Sequence, residues 1–118
     1  MRVIVAGSTT WKNADAIRER LKSLPAETAV VVGDAPGADE MGGEIAAQLD
    51  LAVEPMVKNS EDHERFQKLA WKGLNERMLA TGIDLVLAFH PDVDQSTGTK
   101  HLIELADAAG IPVEVITQ

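Results

Sequence analysis

The sequence predicts an α/β protein built on one five-stranded parallel sheet, strand order 3-2-1-4-5, with helices on both faces. Three observations carry this. Short Val/Ile/Leu/Ala runs alternate with segments of helical period, the pattern of strands joined by crossover helices. Most of those runs are continuous rather than alternating apolar and polar, as expected of strands covered on both sides. The length of 118 residues, 45% hydrophobic and 25% charged, suits one core and is too short for two, so residues 1–118 are expected to form one domain. Right-handed crossovers around a central first strand then give the strand order.

The elements follow in chain order. Arg2 to Ala6 is the first strand. Asn13 suits the cap of the first helix, Asp15 favours its dipole, and Pro25 lies beyond its end. The second strand is Ala29 to Gly33. The second helix spans Ala38 to Leu49 with Met41, Gly42, Ile45, Ala46 and Leu49 on one stripe. Gly42 and Gly43 each weaken that helix by about 1 kcal/mol relative to Ala, so a close backbone approach is expected there. Ala52 to Val57, with Glu54 and Pro55 inside it, reads as an edge strand because proline cannot complete a ladder. One long helix is expected from Ser60, where Glu61 and Asp62 suit the dipole, through Phe66, Leu69, Ala70, Gly73, Leu74 and Met78 to a stop at Gly82. Asp84 to Phe89 is the fourth strand. The last helix starts at Thr97 to Thr99, buries Leu102, Ile103, Ala106 and Ala109, and stops at Gly110 before Pro112. Val113 to Thr117 completes the sheet.

Charge and composition narrow the function. Eleven basic against 19 acidic residues give a net charge of −8, which repels polyanions, so no nucleic-acid polymer is expected as a partner. Between Val30 and Val57 stand Asp34, Asp39, Glu40, Glu44, Asp50 and Glu54 with no Lys or Arg. No apolar run approaches the roughly 20 residues of a membrane span, and the apolar start is too short for a signal-peptide core. With no cysteine, disulfide scaffolds and thiolate chemistry are excluded, and a cytoplasmic location is expected.

The predicted order puts a switch point between strands 1 and 4, where open sheets of this class bind ligands at the carboxyl ends of their strands. Gly7-Ser8-Thr9-Thr10 follows the first strand, and Ser96-Thr97-Gly98-Thr99 precedes the last helix. Either stretch can hold an anion with amides and hydroxyls at a helix start, or simply form a capped turn. Asp39 suits the start of the second helix and can also accept hydrogen bonds from ribose hydroxyls. His63, His90 and His101 show no metal-ligand spacing, although Asp92 and Asp94 close to His90 would favour its imidazolium. Trp11 can stack a base or fill the space beside the sheet; Trp71 is the other tryptophan.

Taken in order, these stretches resemble the SLOG superfamily, in its YspA/YpsA-related branch, over essentially the whole chain. Gly7-Ser8-Thr9-Thr10-Trp11 keeps that branch's frame with Thr9 at the arginine position. Gly33-Asp34-Ala35-Pro36-Gly37-Ala38-Asp39 keeps the Gly-Ala-Asp ending, with Asp34 replacing a glycine and Pro36 an often basic residue. Leu74-Asn75-Glu76-Arg77-Met78 retains Asn75 and Met78 without the arginine before the asparagine, and Ala88-Phe89 and Gly98-Thr99 match. The resemblance implies a Rossmann-like three-layer sandwich that binds a nucleotide or nucleotide-derived ligand. The related cytokinin-activating phosphoribohydrolases place an arginine and a glutamate just after Gly-Thr, whereas here the first acid after Thr99 is Glu104, out of register.

The expectation is therefore a module that binds a small nucleotide-like ligand without catalysis. Gly7, Ser8, Gly98 and Thr99 would hold phosphate, Asp39 a ribose hydroxyl and Asn75 a polar edge, with Thr9, Trp11, Gly33 and Gly37 completing the ligand-binding set. The alternatives are a nucleotide N-glycosidase using Asp39 or Glu104, and an interaction protein, in homo-oligomers or otherwise, whose crevice has lapsed. Asp34, Asp39, Glu40, Asp92 and Asp94 form an acidic rim, for which the expected remedy is a divalent cation bridging carboxylates and phosphate or, alternatively, an uncharged or cationic ligand such as a nucleoside or base.

Overall fold

A computed structural model describes all residues 1–118. Its strands are β1 (Arg2–Gly7), β2 (Ala29–Val32), β3 (Ala52–Pro55), β4 (Leu85–Phe89) and β5 (Val113–Ile116). The helices are α1 (Ala14–Lys22), α2 (Ala38–Gln48), α3 (Ser60–Phe66), α4 (Trp71–Leu79) and α5 (Gly98–Ala108). The strands form one parallel sheet in the order β3-β2-β1-β4-β5, as the sequence predicts, with β3 at an edge.

Period-two alternation along β1 sorts its side chains into two cores. Val3 and Val5 join Ile17 and Leu21 of α1 and Ile45 of α2 on one face. Ile4 and Ala6 meet Leu74 and Met78 of α4 and Leu102 of α5 on the other. All four β1 side chains are buried, which is why the run reads as uniformly apolar. Trp11 is buried in the first core, edge-on to Phe89 at 5.7 Å, with its Nε1 donating to the Asn13 carbonyl. Asn13 caps α1 by accepting from the Ala16 amide. The expected close approach at Gly42 is present: a Cβ there would lie 2.6 Å from Val5 Cγ1. Gly43 has only ordinary contacts. On α5, Leu102 and Ala106 are buried, but Ile103 is half-buried and Ala109 exposed, so the buried stripe is narrower than expected.

The single long helix expected from Ser60 to Gly82 is two helices. α3 ends where Gln67 takes φ +52, and one 3-10 turn, Gln67–Leu69, leads into α4. Leu69, placed on the expected apolar stripe, is exposed. A local cap and an ion pair set this arrangement. Asn59 accepts from the Asp62 amide while Asp62 accepts from the Asn59 amide, a reciprocal cap. The same Asp62 carboxylate receives Arg77 of α4, Nη2 to Oδ2 at 2.5 Å and Nε to Oδ1 at 3.2 Å, and lies against Gly73. Arg77 also donates to the Val57 carbonyl at 2.6 Å. The guanidinium holds the Asp62 carboxyl below the usual range. This carboxylate folds α3 across α4 and fixes the β3–α3 connector beside them.

Candidate functional site

Beside the switch point between β1 and β4, the carboxyl ends of the strands open into a crevice of about 430 Å³. One wall is the loop after β1, and a second is the loop after β2 with the first turn of α2. The third is made by α4 and the chain from His90 to the start of α5. Of the residues singled out from sequence, Gly7, Ser8, Thr9, Asp39, Asn75, Gly98 and Thr99 come together here. Trp11, Gly33 and Gly37 do not line it. Trp11 is committed to the core. Gly37, at φ +76, packs against the Ser8 and Thr9 backbone, where a Cβ would collide, and the next amide, Ala38 N–H, donates to the Ser8 carbonyl at 3.0 Å. Gly33 leaves room for the Asp39 carboxylate, which would lie 2.8 Å from a Cβ there.

The β1 loop satisfies itself. Ser8 N–H donates to the Phe89 carbonyl at 2.9 Å, and Ser8 Oγ accepts from the Thr10 amide at 3.1 Å. The Ser8 amide is thus committed to the protein, while its hydroxyl, 3.0 Å from Thr10 Oγ1, keeps one O–H to donate, and of this loop the Thr9 amide alone is without a protein acceptor. At the start of α5 the account is the reverse. Thr99 N–H donates to Ser96 Oγ at 3.1 Å, while the amides of Thr97, Gly98 and Lys100 have no protein acceptor. Asn75 positions this turn, its amide group donating to the Gly98 carbonyl at 3.2 Å and meeting His101 Nδ1 at 3.1 Å. Burial, reinforced by the charge of Lys72, lowers the His101 pKa and favours the neutral ring, whose Nδ1 can accept from the Asn75 NH2 group. At His90 the ring meets the Asp92 main-chain N–H at 3.0 Å, not its carboxylate.

The acidic rim is not an open cluster. Lys58, from the β3–α3 connector, holds Asp34 through Nζ at 2.5 Å and through its amide at 2.9 Å. Burial alone would raise the Asp34 pKa, but these bonds outweigh it and the net shift is downward. Asp39 is half-buried, and Oδ2 accepts from the Ala35 amide at 3.3 Å. Burial, with the Asp34 charge adding to it, pushes its pKa up to about 7. Glu40, Asp92 and Asp94 take no part in the crevice wall, and no three carboxylate or histidine side chains converge into a cation site. Lys58, the one Lys or Arg in that wall, meets part of the negative charge for which a divalent cation had been expected.

The chain is 35% identical over 119 aligned positions to the Gene 61 protein of Mycobacterium phage D29, covering 95% of this chain and 93% of that protein. The chain belongs to the Gene 61 family. No protein-family model matches it. Its fold is that of DNA processing protein A (DprA) from Streptococcus pneumoniae, with a TM-score of 0.75 and 17% identity over 97% of this chain. The chain spans about half of DprA, 49% of its length. This likeness shows a Rossmann-like α/β fold for this member of the Gene 61 family.

Two residues of the crevice in this Gene 61 family member escaped the sequence reading. Lys58 lies one position beyond the acid-only stretch, and its pairing with Asp34 depends on how the edge strand leads into α3. Trp71 is the outermost member of an i, i+3, i+4, i+7 stripe with Leu74, Asn75 and Met78, all lining the crevice. The break at Gln67 makes it the first residue of α4, and no local signal marks that break. Glu104, exposed on α5, takes no part in the wall, so of the two acids named for the N-glycosidase alternative only Asp39 reaches the crevice. In chemical terms the site offers free amide donors, one lysine and a half-buried carboxyl group.

Proposed function

We propose that this protein is a binding module for a small nucleotide-derived ligand, as in the YspA-related branch of the SLOG superfamily, with the ligand's phosphate at the start of α5. The observation that carries this is the pair of unsatisfied amides at Thr97 and Gly98 lining the crevice, with the free Lys100 amide in the same first turn, where the helix dipole favours an anion. Gly98 supports it. Its backbone takes no positive φ, and a Cβ would meet only Trp71 Cε3, at 3.9 Å. The fold therefore does not require glycine here, and its missing side chain leaves room for a ligand. Calorimetry with AMP and ribose 5-phosphate tests the assignment. Binding by wild type, weakened at least 10-fold in a folded Gly98→Asp variant, is the expected result, because the new carboxylate stands where the anion must sit. Unchanged affinity in that variant would move the phosphate elsewhere.

Asp39 favours a second reading. A carboxyl group with a pKa near 7 is in part protonated at neutral pH, the form a general acid needs, which supports a nucleotide N-glycosidase. The binding module predicts no free base from nucleoside monophosphates. Base release that stops in Asp39→Asn would establish the enzyme instead.

A further inference from the structure

Trp71 is a large aromatic that neither core uses. Its stripe neighbours Leu74 and Met78 are buried in the second core and Asn75 is buried against α5, but Trp71 itself is half-buried and packs into neither cluster. Its indole N–H has no protein acceptor, in contrast to Trp11, whose N–H is bonded to Asn13. The ring meets His101 edge to face at 5.4 Å, and Lys72 Nζ stands 5.8 Å from its centroid. On the crevice side, the atom nearest to the missing Gly98 side chain is Trp71 Cε3. Any larger residue at 98 would stand against the indole at Cε3, and glycine leaves that part of the ring open to the crevice.

A half-buried indole that is open toward Gly98, beside free backbone donors, is suited to a ligand with a flat π-face at one end and an anion at the other. From this juxtaposition we infer that Trp71 is the base-stacking platform of the crevice and makes the site selective for nucleoside monophosphates over sugar phosphates. Size agrees: about 430 Å³ is at the small end of the roughly 300–1,000 Å³ of small-molecule sites, suited to a mononucleotide rather than a dinucleotide. Asn75 lines the same wall with no protein donor on Oδ1, leaving an acceptor for the edge of the stacked base. Lys72 adds positive charge near the ring without contacting the α5 amides.

The inference rests on the phosphate site proposed above, and ribose 5-phosphate separates the two. The chain has two tryptophans, one in the core and one at the crevice, so AMP stacking is read as quenching of Trp71 emission against a constant Trp11 background. Wild type is expected to bind AMP on the order of 10-fold more tightly than ribose 5-phosphate, the scale of one base–aromatic stack. Trp71→Leu should erase that difference and leave ribose 5-phosphate affinity as it was. Trp71→Phe should keep most of the preference and lose the quenching. If AMP binds without quenching and Trp71→Leu binds it like wild type, the platform is wrong and the phosphate site stands. Equal affinity for AMP and ribose 5-phosphate in wild type also overturns the platform, and binding of neither overturns both ideas.

Discussion

The loop after β1 and the turn into α5 are built from the same few residue types, Gly, Ser and Thr, and stand beside one crevice, yet they use their polar groups in opposite ways. In the first, Ser8 alone ties down the Phe89 carbonyl and the amides of Thr10, Trp11 and Ala38. Gly7 is required by the backbone: it takes φ +150, and a Cβ would lie 2.7 Å from the Phe89 carbonyl carbon. In the second, one serine holds one amide, three further amides are free, and Gly98 is required by neither conformation nor packing. Ser, Thr and Gly after a strand therefore mark a turn. Whether the turn binds a ligand depends on the donors left over once the chain has used its own acceptors.

The largest effect expected from this contrast is on stability. Gly7→Ala forces a Cβ into the Phe89 backbone and should cost more than about 3 kcal/mol, whereas Gly98→Ala should fall within about 1 kcal/mol of wild type, in either direction. Urea denaturation of the two variants measures this, and similar losses would break the comparison.

The second test uses the carboxyl group on the closed side. Because folding raises the Asp39 pKa to about 7, its contribution to stability is neutral when both states are protonated. It then turns unfavourable as pH rises from about 4 to 7 and levels off above that. Asp39→Asn should match wild type near pH 4 and exceed it by roughly 3–4 kcal/mol at pH 8, the scale set by a rise to about 7. Phosphate affinity of wild type should fall over the same pH interval. A variant that gains nothing at pH 8 would mean that water or Lys58 already compensates the charge.

The smallest expected effect separates the two serines. Ser8→Ala and Ser96→Ala should each cost about 1 kcal/mol through a lost amide acceptor. Only Ser96→Ala should weaken ribose 5-phosphate binding, because Ser96 orders the turn that presents the free amides. Weakened binding in Ser8→Ala by calorimetry would make the β1 loop part of the site.

The sheet was legible because its strands announce themselves: Val3 to Ala6 and Val30 to Val32 are apolar on both faces, and Pro55 marks an edge. The crevice was legible as a place, since strand order fixes the switch point, and Asp39, Asn75 and Gly98 all reach it. What the sequence could not tell was how each group would be occupied. Ser8 and Ser96 look alike until the carbonyls around them are placed. Trp11 follows a glycine-bearing turn and Trp71 opens a helix, yet packing puts the first in the core and the second at the crevice. Lys58 reaches Asp34 across 24 positions of chain, a separation with no local signature. The break at Gln67 was hidden because Phe66, Leu69, Ala70 and Gly73 keep a helical period across it, and Asp62, which enforces the fold-back, looked like an ordinary first-turn acid.

That last carboxylate ties the history of three positions together. Asp62 occupies the space where residue 73 would carry a Cβ, and it relies on Arg77 for its counter-charge. Any mutational path through this family must therefore treat Asp62, Gly73 and Arg77 as one character. Gaining a side chain at 73 first expels the carboxylate and strands a guanidinium. Losing Arg77 first strands the carboxylate. Homologous chains should thus keep all three or replace all three, and those that replace them should also differ in how the connector bearing Lys58 is held, since Arg77 anchors it at the Val57 carbonyl.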